Sequence, residues 1–237
     1  MVFKKYLIIV LFLFLNYGCN KEIVRENQPI KKDSGISKIV KSDIDDVLEV
    51  HVNKSRKLLK ELMKKLYKRN PRELKKSPHK IAEENIVRLF DLKHSWDFPE
   101  LQGTHDAESI QLVFSEEYDG DRVFAFVSGI MSMIMKSYNY KSKFYVTDSV
   151  DPQKLYNCAR NIEIAIWKLS NDINSKGELF LRSNSLAEEK ISNLSYERLF
   201  GKLIATQDNM AIIIADKKKR TIKTVIQKMA TAIFIPI

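Results

Sequence analysis

The chain has 237 residues, with 40 Lys and Arg against 30 Asp and Glu and a formal net charge of +10. This length suits one domain, or one domain with a tail. The 7 glycines include no G-x-G pair and no G-x-x-x-x-G-K-[ST] loop, which excludes the usual dinucleotide and phosphate loops. Scarce glycine also disfavours a sheet protein with many tight turns, so the composition favours an all-α fold.

Residues 1–18 have the pattern of a lipoprotein signal peptide. Lys4 and Lys5 precede ten apolar residues, 6–15, which as a helix span about 15 Å, half of the roughly 30 Å hydrocarbon core. The run leads to Gly18-Cys19, which resembles a bacterial lipobox, with Asn16 where the usual pattern has Leu. Spirochaete lipoproteins have such loose boxes. We predict that Cys19 carries the lipid, palmitate included; the alternative is a plain cleaved signal with an incidental Cys19.

Residues 19–42 are predicted to be the acylated Cys and a flexible tether. They are rich in Lys, Asn, Gln, Glu and Ser, include Pro29 and Gly35, and follow neither a helical nor a strand period. A coil of about 20 residues spans roughly 25 Å, which would hold the following domain away from the membrane. The helical domain is predicted to cover residues 43–237.

The first helix is predicted from Asp43 to Asn70, where Asn70-Pro71 ends it. Its apolar stripe, spaced by four and three, is Leu48, Val52, Ser55, Leu59, Leu62 and Leu66. Ser77-Pro78 is predicted to begin a second helix. The inward residues of that helix would be Ile81, Ile86, Leu89 and Phe90.

A loop is predicted over Lys93 to Gly103, then a short helix capped by Thr104 or Asp106, then a turn at Asp119-Gly120-Asp121. The residues from Val123 to Tyr138 are apolar nearly all round, as in the central helix of a bundle. Three small residues in it should let a neighbouring helix approach closely: Ser128, Gly129 and Ser132.

Asp151-Pro152 predicts another helix start, with a capping carboxylate before a proline at the first helical position. The helix should end near Gly177, and its stripe is Leu155, Ala159, Ile162, Ile166, Leu169 and Ile173. One or two further helices are predicted over Leu186 to about Ala215 and Thr221 to Phe234. The predicted fold is a single all-α bundle of five to seven helices behind a signal peptide and tether.

Two stretches, Phe126 to Tyr138 and Asp151 to Ser170, resemble a known family. They are similar to paralogous family twelve of the helical outer-surface lipoproteins of Lyme-disease spirochaetes (Borrelia), over about residues 75 to 235. The resemblance implies an all-helical fold, placement at the cell surface or outer membrane, and non-specific DNA binding. It implies no catalytic residue.

The positive charge is concentrated in two segments. Residues 54–80 hold twelve basic residues against Glu61 and Glu73, a balance of +10, and residues 216–228 hold six against Asp216, a balance of +5. We predict that a polyanion binds the following members of these segments: Lys54, Lys57, Lys60, Lys64, Lys65, Lys68, Arg69, Arg72, Lys75, Lys76, Lys217, Lys218, Lys219, Arg220 and Lys223.

On the first helix, four of these lysines fall opposite the apolar stripe: Lys54, Lys57, Lys64 and Lys68. Such a row suits phosphates, because each neutralised phosphate releases counterions. Only Tyr67 interleaves the first segment, so base stacking is not indicated and binding should not depend on sequence. The alternative is an ordinary solvated helix face. Anionic lipids and glycosaminoglycans suit the same charges.

Catalytic and metal patterns are absent from the sequence. None of His51, His79, His94 and His105 has a zinc-site spacing, and no C-x-x-C or G-x-S-x-G is present. Cys158 is predicted to be a core residue. His79 and Glu83 would form a surface pair, Met131, Met133 and Met135 would be core, and the acidic residues near Asp119 would form a turn. We therefore expect no enzyme activity, metal or cofactor.

Three functions remain open from the sequence. The leading hypothesis is a lipid-anchored surface protein that binds polyanions, DNA among them. The second is a host-protein interaction module that binds complement factors, plasminogen or matrix, and the third is a structural envelope protein. Steep salt dependence would favour the first, since phosphate contacts release counterions; saturable binding to one serum protein would favour the second.

Overall fold

The structure, a computed structural model, describes residues 41–183, 194–219, 221–222 and 233–237, and these residues contain seven α-helices and no β-strand. They belong to one compact unit, Val40–Ile237. The helices are α1 (Asp43–Arg69), α2 (Pro71–Leu74), α3 (Ala82–Phe90), α4 (Asp106–Val113), α5 (Arg122–Ser137), α6 (Pro152–Asn171) and α7 (Ser195–Lys218). The all-α prediction is confirmed. The predicted signal peptide, Cys19 and the tether up to residue 40 lie outside the described residues.

Helix α1 begins and ends where its sequence predicts. Ser42 and Asp45 form a capping box, in which the Ser42 N–H donates to the Asp45 carboxylate at 2.8 Å. Every residue of the predicted stripe is buried. Past its end, Asn70 pairs with the backbone of Arg182: Asn70 Nδ2 donates to the Arg182 carbonyl at 2.9 Å, and the Arg182 N–H donates to Asn70 Oδ1 at 2.8 Å. We call such a two-bond contact an asparagine clasp.

The predicted start of the second helix is wrong. Helix α3 begins at Ala82 rather than at Ser77-Pro78, and Ile81 is its N-cap and 53% exposed instead of inward. A buried hydrogen bond from Ser77 to Asn85 Oδ1 at 2.8 Å and a partly buried one from Asn85 Nδ2 to the His79 carbonyl at 2.7 Å fold this segment back onto α3. Side-chain bonds to the backbone thus compete with helix formation there.

Helix α5 is the central helix, and it contacts α1, α4 and α6. Asp121 caps it by accepting hydrogen bonds from the N–H groups of Val123 and Phe124, both at 3.0 Å. All its residues are buried except Lys136, which is half-buried. The predicted close approach occurs at Gly129, where a Cβ would lie 2.7 Å from the Asp106 carbonyl oxygen of α4.

Helix α6 starts at the predicted cap, where Asp151 accepts a hydrogen bond from the Gln153 N–H at 2.9 Å. It ends at Asn171 and not near Gly177, and Ile173 is 57% exposed. The Asn174 side chain accepts the N–H groups of Lys176 and Glu178, so a tight turn replaces the last predicted turn of helix. The other stripe residues are buried, except Ile166, which is half-buried.

Helix α7 runs antiparallel to both α1 and α6. Its first residue, Ser195, accepts a hydrogen bond from Lys65, and Thr206 further along contacts His51. The predicted start of this helix at Leu186 lies outside the described residues, as does most of the helix predicted over Thr221 to Phe234. The described end of the chain, 233–237, is not helical and lies along α6, where Asn161 and the backbone of Ile235 form a second asparagine clasp.

Candidate polyanion interface on α1

The outward side of α1 carries four exposed lysines, which we call the lysine face: Lys54, Lys57, Lys64 and Lys68. Because the opposite side is buried against α5 and α7, these side chains have no core to enter. Fourteen residues of helix separate the first from the last, a length of about 21 Å. None of the four is paired with another residue in the part of the chain that the structure describes.

A single acidic side chain interrupts the lysine face. Glu61 is exposed and lies one turn from Lys57 and Lys64, since residues three or four apart are neighbours on a helix. Its charge lowers the positive potential at the middle of the face. Substitution of Glu61 can therefore either add a positive charge to the lysine face or only remove the negative one.

Two predicted site residues on the edge of α1 are engaged within the protein. Lys60 Nζ lies 2.5 Å from the Asp91 carboxylate and 5.8 Å from the Phe90 ring centroid. Lys65 Nζ donates to Ser195 Oγ at 2.7 Å and lies 5.3 Å from the Tyr196 ring centroid. Lys60 and Lys65 therefore interact with α3 and α7 and are less available to a ligand.

A buried carboxylate holds two more members of the first segment. Glu73 is 1% exposed and forms ion pairs with Arg72 at 3.2 Å and Lys76 at 3.0 Å. It also accepts a hydrogen bond from the backbone N–H of Arg122 at 3.2 Å. Arg72 and Lys76 therefore neutralise the buried Glu73 carboxylate. This structural role was not predicted from the sequence.

The remaining predicted site residues of the first segment, Arg69 and Lys75, are exposed. Arg69 interacts within the protein: burial raises the pKa of the Tyr196 phenol, and the Arg69 charge acts in the opposite direction. Lys75 extends the positive surface past the end of α1 into α2 and the turn after it.

The second basic segment lies apart from the lysine face. Lys217 and Lys219 are exposed at the end of α7, and Lys218 Nζ donates to Ser149 Oγ at 2.7 Å and to the Val150 carbonyl at 2.5 Å. Because α7 is antiparallel to α1, this end lies toward the first turn of α1, which carries Asp43, Asp45 and Asp46. Arg220 and Lys223 lie outside the described residues.

Tyr67, the one aromatic residue among the lysines, is not available for stacking. It is 3% exposed, and its hydroxyl donates to the Asp121 carboxylate at 2.6 Å. Burial raises the pKa of Asp121 to about 6 from its usual 3.8, although the hydrogen bonds from Tyr67 and the α5 backbone act in the opposite direction. Both groups are therefore parts of the core beneath the candidate interface.

The histidines and the cysteine have structural contacts. Cys158 is fully buried, and burial raises the pKa of its thiol well above the usual value. His79 pairs with Glu84 at 3.4 Å rather than with Glu83, and His94 packs edge-on against Trp96 at 4.6 Å between ring centroids. No group of three His, Cys, Asp or Glu side chains that could hold a metal ion occurs among the described residues.

Comparison with known proteins gives no neighbour for this chain. No protein-family model, curated protein or solved structure matches it. The resemblance to paralogous family twelve therefore stays a prediction. Within the described ranges, no helix has both the length and the hydrophobicity needed to cross a membrane.

Proposed function

We propose that the protein is a non-enzymatic, lipid-anchored protein of the bacterial cell surface or outer membrane that binds polyanions, DNA among them, without sequence preference. The observation that supports it best is the lysine face, with four exposed and unpaired cations on one side of one helix. The buried Tyr67 supports a contact made to phosphates rather than to bases. The anchor rests on Gly18-Cys19 and on the family resemblance.

The test is the binding of the protein to duplex DNA over a salt series, followed by fluorescence anisotropy. If the lysine face makes about four phosphate contacts, the slope of log affinity against log salt should be about −3.6, and affinity should fall about a hundredfold between 50 and 200 mM salt. Two unrelated duplex sequences should bind about equally, because phosphates carry no sequence information.

Charge reversal locates the contact. Lys57→Glu with Lys64→Glu should weaken binding to both duplexes and flatten the salt slope, because two contacts are lost. Lys143→Glu with Lys176→Glu changes the net charge equally at two exposed positions outside α1 and should have little effect. Binding that ignores salt, or equal losses in the two double variants, would contradict the proposal.

A protein partner is the second candidate function. It is favoured by Val50, which is 64% exposed and continues the line of the lysine face toward the start of α1, where Val47 is 36% exposed. Exposed apolar side chains next to cations are typical of protein contacts rather than of phosphate contacts. Saturable binding to one serum protein that survives physiological salt and is lost on Val50→Asp would support this candidate over DNA.

A further inference from the structure

A buried arginine at the start of α5 has no carboxylate partner for its guanidinium. Arg122 is 8% exposed, and its Nη1 donates to the carbonyls of Val113 at 2.9 Å and Leu112 at 3.3 Å, at the end of α4. Within the described ranges, its Nε and Nη2 have no hydrogen-bond partner and no carboxylate forms an ion pair with it. Both nitrogens are accessible to solvent. Buried charges in proteins are nearly always paired, so this guanidinium is suited to hold an anion.

Arg122 lines a small polar pocket that lies between α2, the start of α5 and the turn after α6. The pocket has a volume of about 190 Å³ and opens to solvent. A water molecule takes about 30 Å³ of liquid, so the pocket has room for one tetrahedral anion together with some of its water. The other lining residues are Arg72, Glu73, Lys76, Glu116, Asn174 and Phe180.

Two more cations line the same pocket. Arg72 Nε lies 3.2 Å from Glu73 Oε1, and Lys76 Nζ lies 3.0 Å from Glu73 Oε2. The side chains of Arg72 and Lys76 are 49% and 35% exposed, so neither is enclosed by its contact with Glu73. An ammonium group has three donors, and Lys76 uses one of them on Glu73. Both cations therefore keep N–H groups that a ligand can take.

The pocket has more donors than acceptors. Glu73 is held by the two cations just described and by the backbone N–H of Arg122 at 3.2 Å, and Glu116 accepts the Ser175 N–H. Asn174 Oδ1 is used within the turn after α6, which leaves its Nδ2 as a further donor. Three cations against two carboxylates leave an excess of one positive charge. Burial lowers the pKa of the Arg122 guanidinium, although the Glu73 charge acts in the opposite direction, and a bound anion would favour its charged form.

We propose that this pocket, which we call the arginine pocket (Arg72, Lys76 and Arg122), binds a phosphate group, either as inorganic phosphate or as a phosphate monoester. The planar guanidinium of Arg122 can donate two parallel hydrogen bonds to phosphate oxygens, and Lys76 supplies a point charge. The donors come from three separate elements. A phosphate group presents oxygens in several directions, whereas a carboxylate presents two in one plane. The site does not include the lysine face, so it does not rest on the proposed function.

The test is isothermal titration calorimetry of the full chain with inorganic phosphate at neutral pH and constant ionic strength. The parent should bind one phosphate saturably. Lys76→Gln should weaken binding at least about tenfold because a charged donor is lost. Arg122→Lys should also weaken it at least about tenfold, because this change keeps the charge and removes the planar donor pair. Circular dichroism checks the fold of each variant, and the half-buried Lys76 provides the test if the buried Arg122 variant does not fold.

Matched controls separate the pocket from general positive charge. Lys75→Gln removes the same charge at a neighbouring exposed residue that does not line the pocket, so it should bind phosphate as the parent does. Lys57→Glu with Lys64→Glu should also leave phosphate binding unchanged, although this pair should weaken DNA binding if the proposed function is right. Acetate should bind at least about tenfold more weakly than phosphate, because it has fewer acceptor oxygens.

Duplex DNA with and without 5′-phosphates distinguishes the sources of the phosphate group. If the end of a strand supplies it, the parent should bind the phosphorylated duplex more tightly than the hydroxyl duplex, and Lys76→Gln should remove that difference. Equal binding of the two duplexes by a parent that binds inorganic phosphate assigns the pocket to free phosphate or to small phosphate esters.

Three results would overturn the proposal. The first is a folded parent that does not bind inorganic phosphate saturably. The second is acetate that binds as tightly as phosphate, or equal weakening by Lys75→Gln and Lys76→Gln. The third is a folded Lys76→Gln chain that binds phosphate as well as the parent, which would mean that the cations serve only Glu73 and the end of α4.

Discussion

Helices α1 and α5 meet solvent in opposite ways. α1 buries one side and lines the other with unpaired lysines, whereas α5 is buried nearly all round and has its only ionic groups at its ends. At those ends every ionic group has a partner: Asp121 with Tyr67, Arg122 with the carbonyls of α4, and Lys136 with Asp106. On these two helices the unpaired lysines therefore lie on the surface that a ligand can reach, so stability and binding should respond to different substitutions.

The largest expected effect is on the inner side of α1. Leu62 is fully buried, so Leu62→Ala should lower the free energy of unfolding by about 2–5 kcal/mol. Lys64→Ala, two residues away on the lysine face, should change it by less than about 0.5 kcal/mol. Urea unfolding followed by circular dichroism compares the two. Similar losses in both would mean that the two sides of α1 are not distinct.

The next effect concerns the cap of α5. The pKa of Asp121 is raised to about 6 in the folded state from 3.8, so the folded state binds the carboxyl proton more tightly than the unfolded state does. The protonated carboxyl therefore contributes to the free energy of unfolding at low pH, and this contribution falls as pH rises from about 4 to 6. The expected loss between pH 4 and pH 7 is about 2.4 kcal/mol. The measurement is the difference in unfolding free energy between parent and Asp121→Asn at pH 4 and pH 7. A difference in unfolding free energy that does not change with pH would contradict this prediction.

A smaller effect is expected where α5 meets α4. Gly129→Ala places a Cβ 2.7 Å from the Asp106 carbonyl oxygen and from Ile110 Cγ1, so it should destabilise by about 1–3 kcal/mol. Gly201→Ala is the matched control in α7, where nothing lies within 4 Å of the added Cβ. It should stabilise by about 0.5–1 kcal/mol through helix propensity. Thermal unfolding should move in opposite directions for the two variants.

The smallest expected effect is on DNA binding by the outer side of α1. Glu61→Lys adds a fifth cation to the lysine face, so the slope of log affinity against log salt should steepen from about −3.6 to about −4.5. Glu61→Gln removes the negative charge without adding a contact and should change the slope less. Anisotropy titrations with duplex DNA measure both variants. A slope that does not change for Glu61→Lys would place the DNA elsewhere.

The sequence predicts α1, α5 and the start of α6 closely, because apolar periodicity and capping residues are local signals. It fails at Ser77-Pro78, where a capping pattern is overridden by the buried bonds of Asn85, and at Ile173, where Asn174 forms a turn. Both outcomes depend on side-chain hydrogen bonds between residues close in sequence, which compete with the helix and which apolar periodicity and capping patterns do not include. The exposure of the lysine face follows from its position opposite the stripe, but the ion pairs of Glu73 and the clasp of Asn161 require the tertiary fold.

The asparagine clasps bear on how fast the protein unfolds. Asn70 and Arg182 are 112 residues apart in sequence, and Asn161 and Ile235 are 74 apart, whereas most contacts in a helical bundle are local and form early. Contacts between such distant residues are expected to form after the folding barrier. In a denaturant chevron, weakening a clasp should therefore raise the unfolding rate and leave the folding rate nearly unchanged. The clasps would then set the lifetime of the native state.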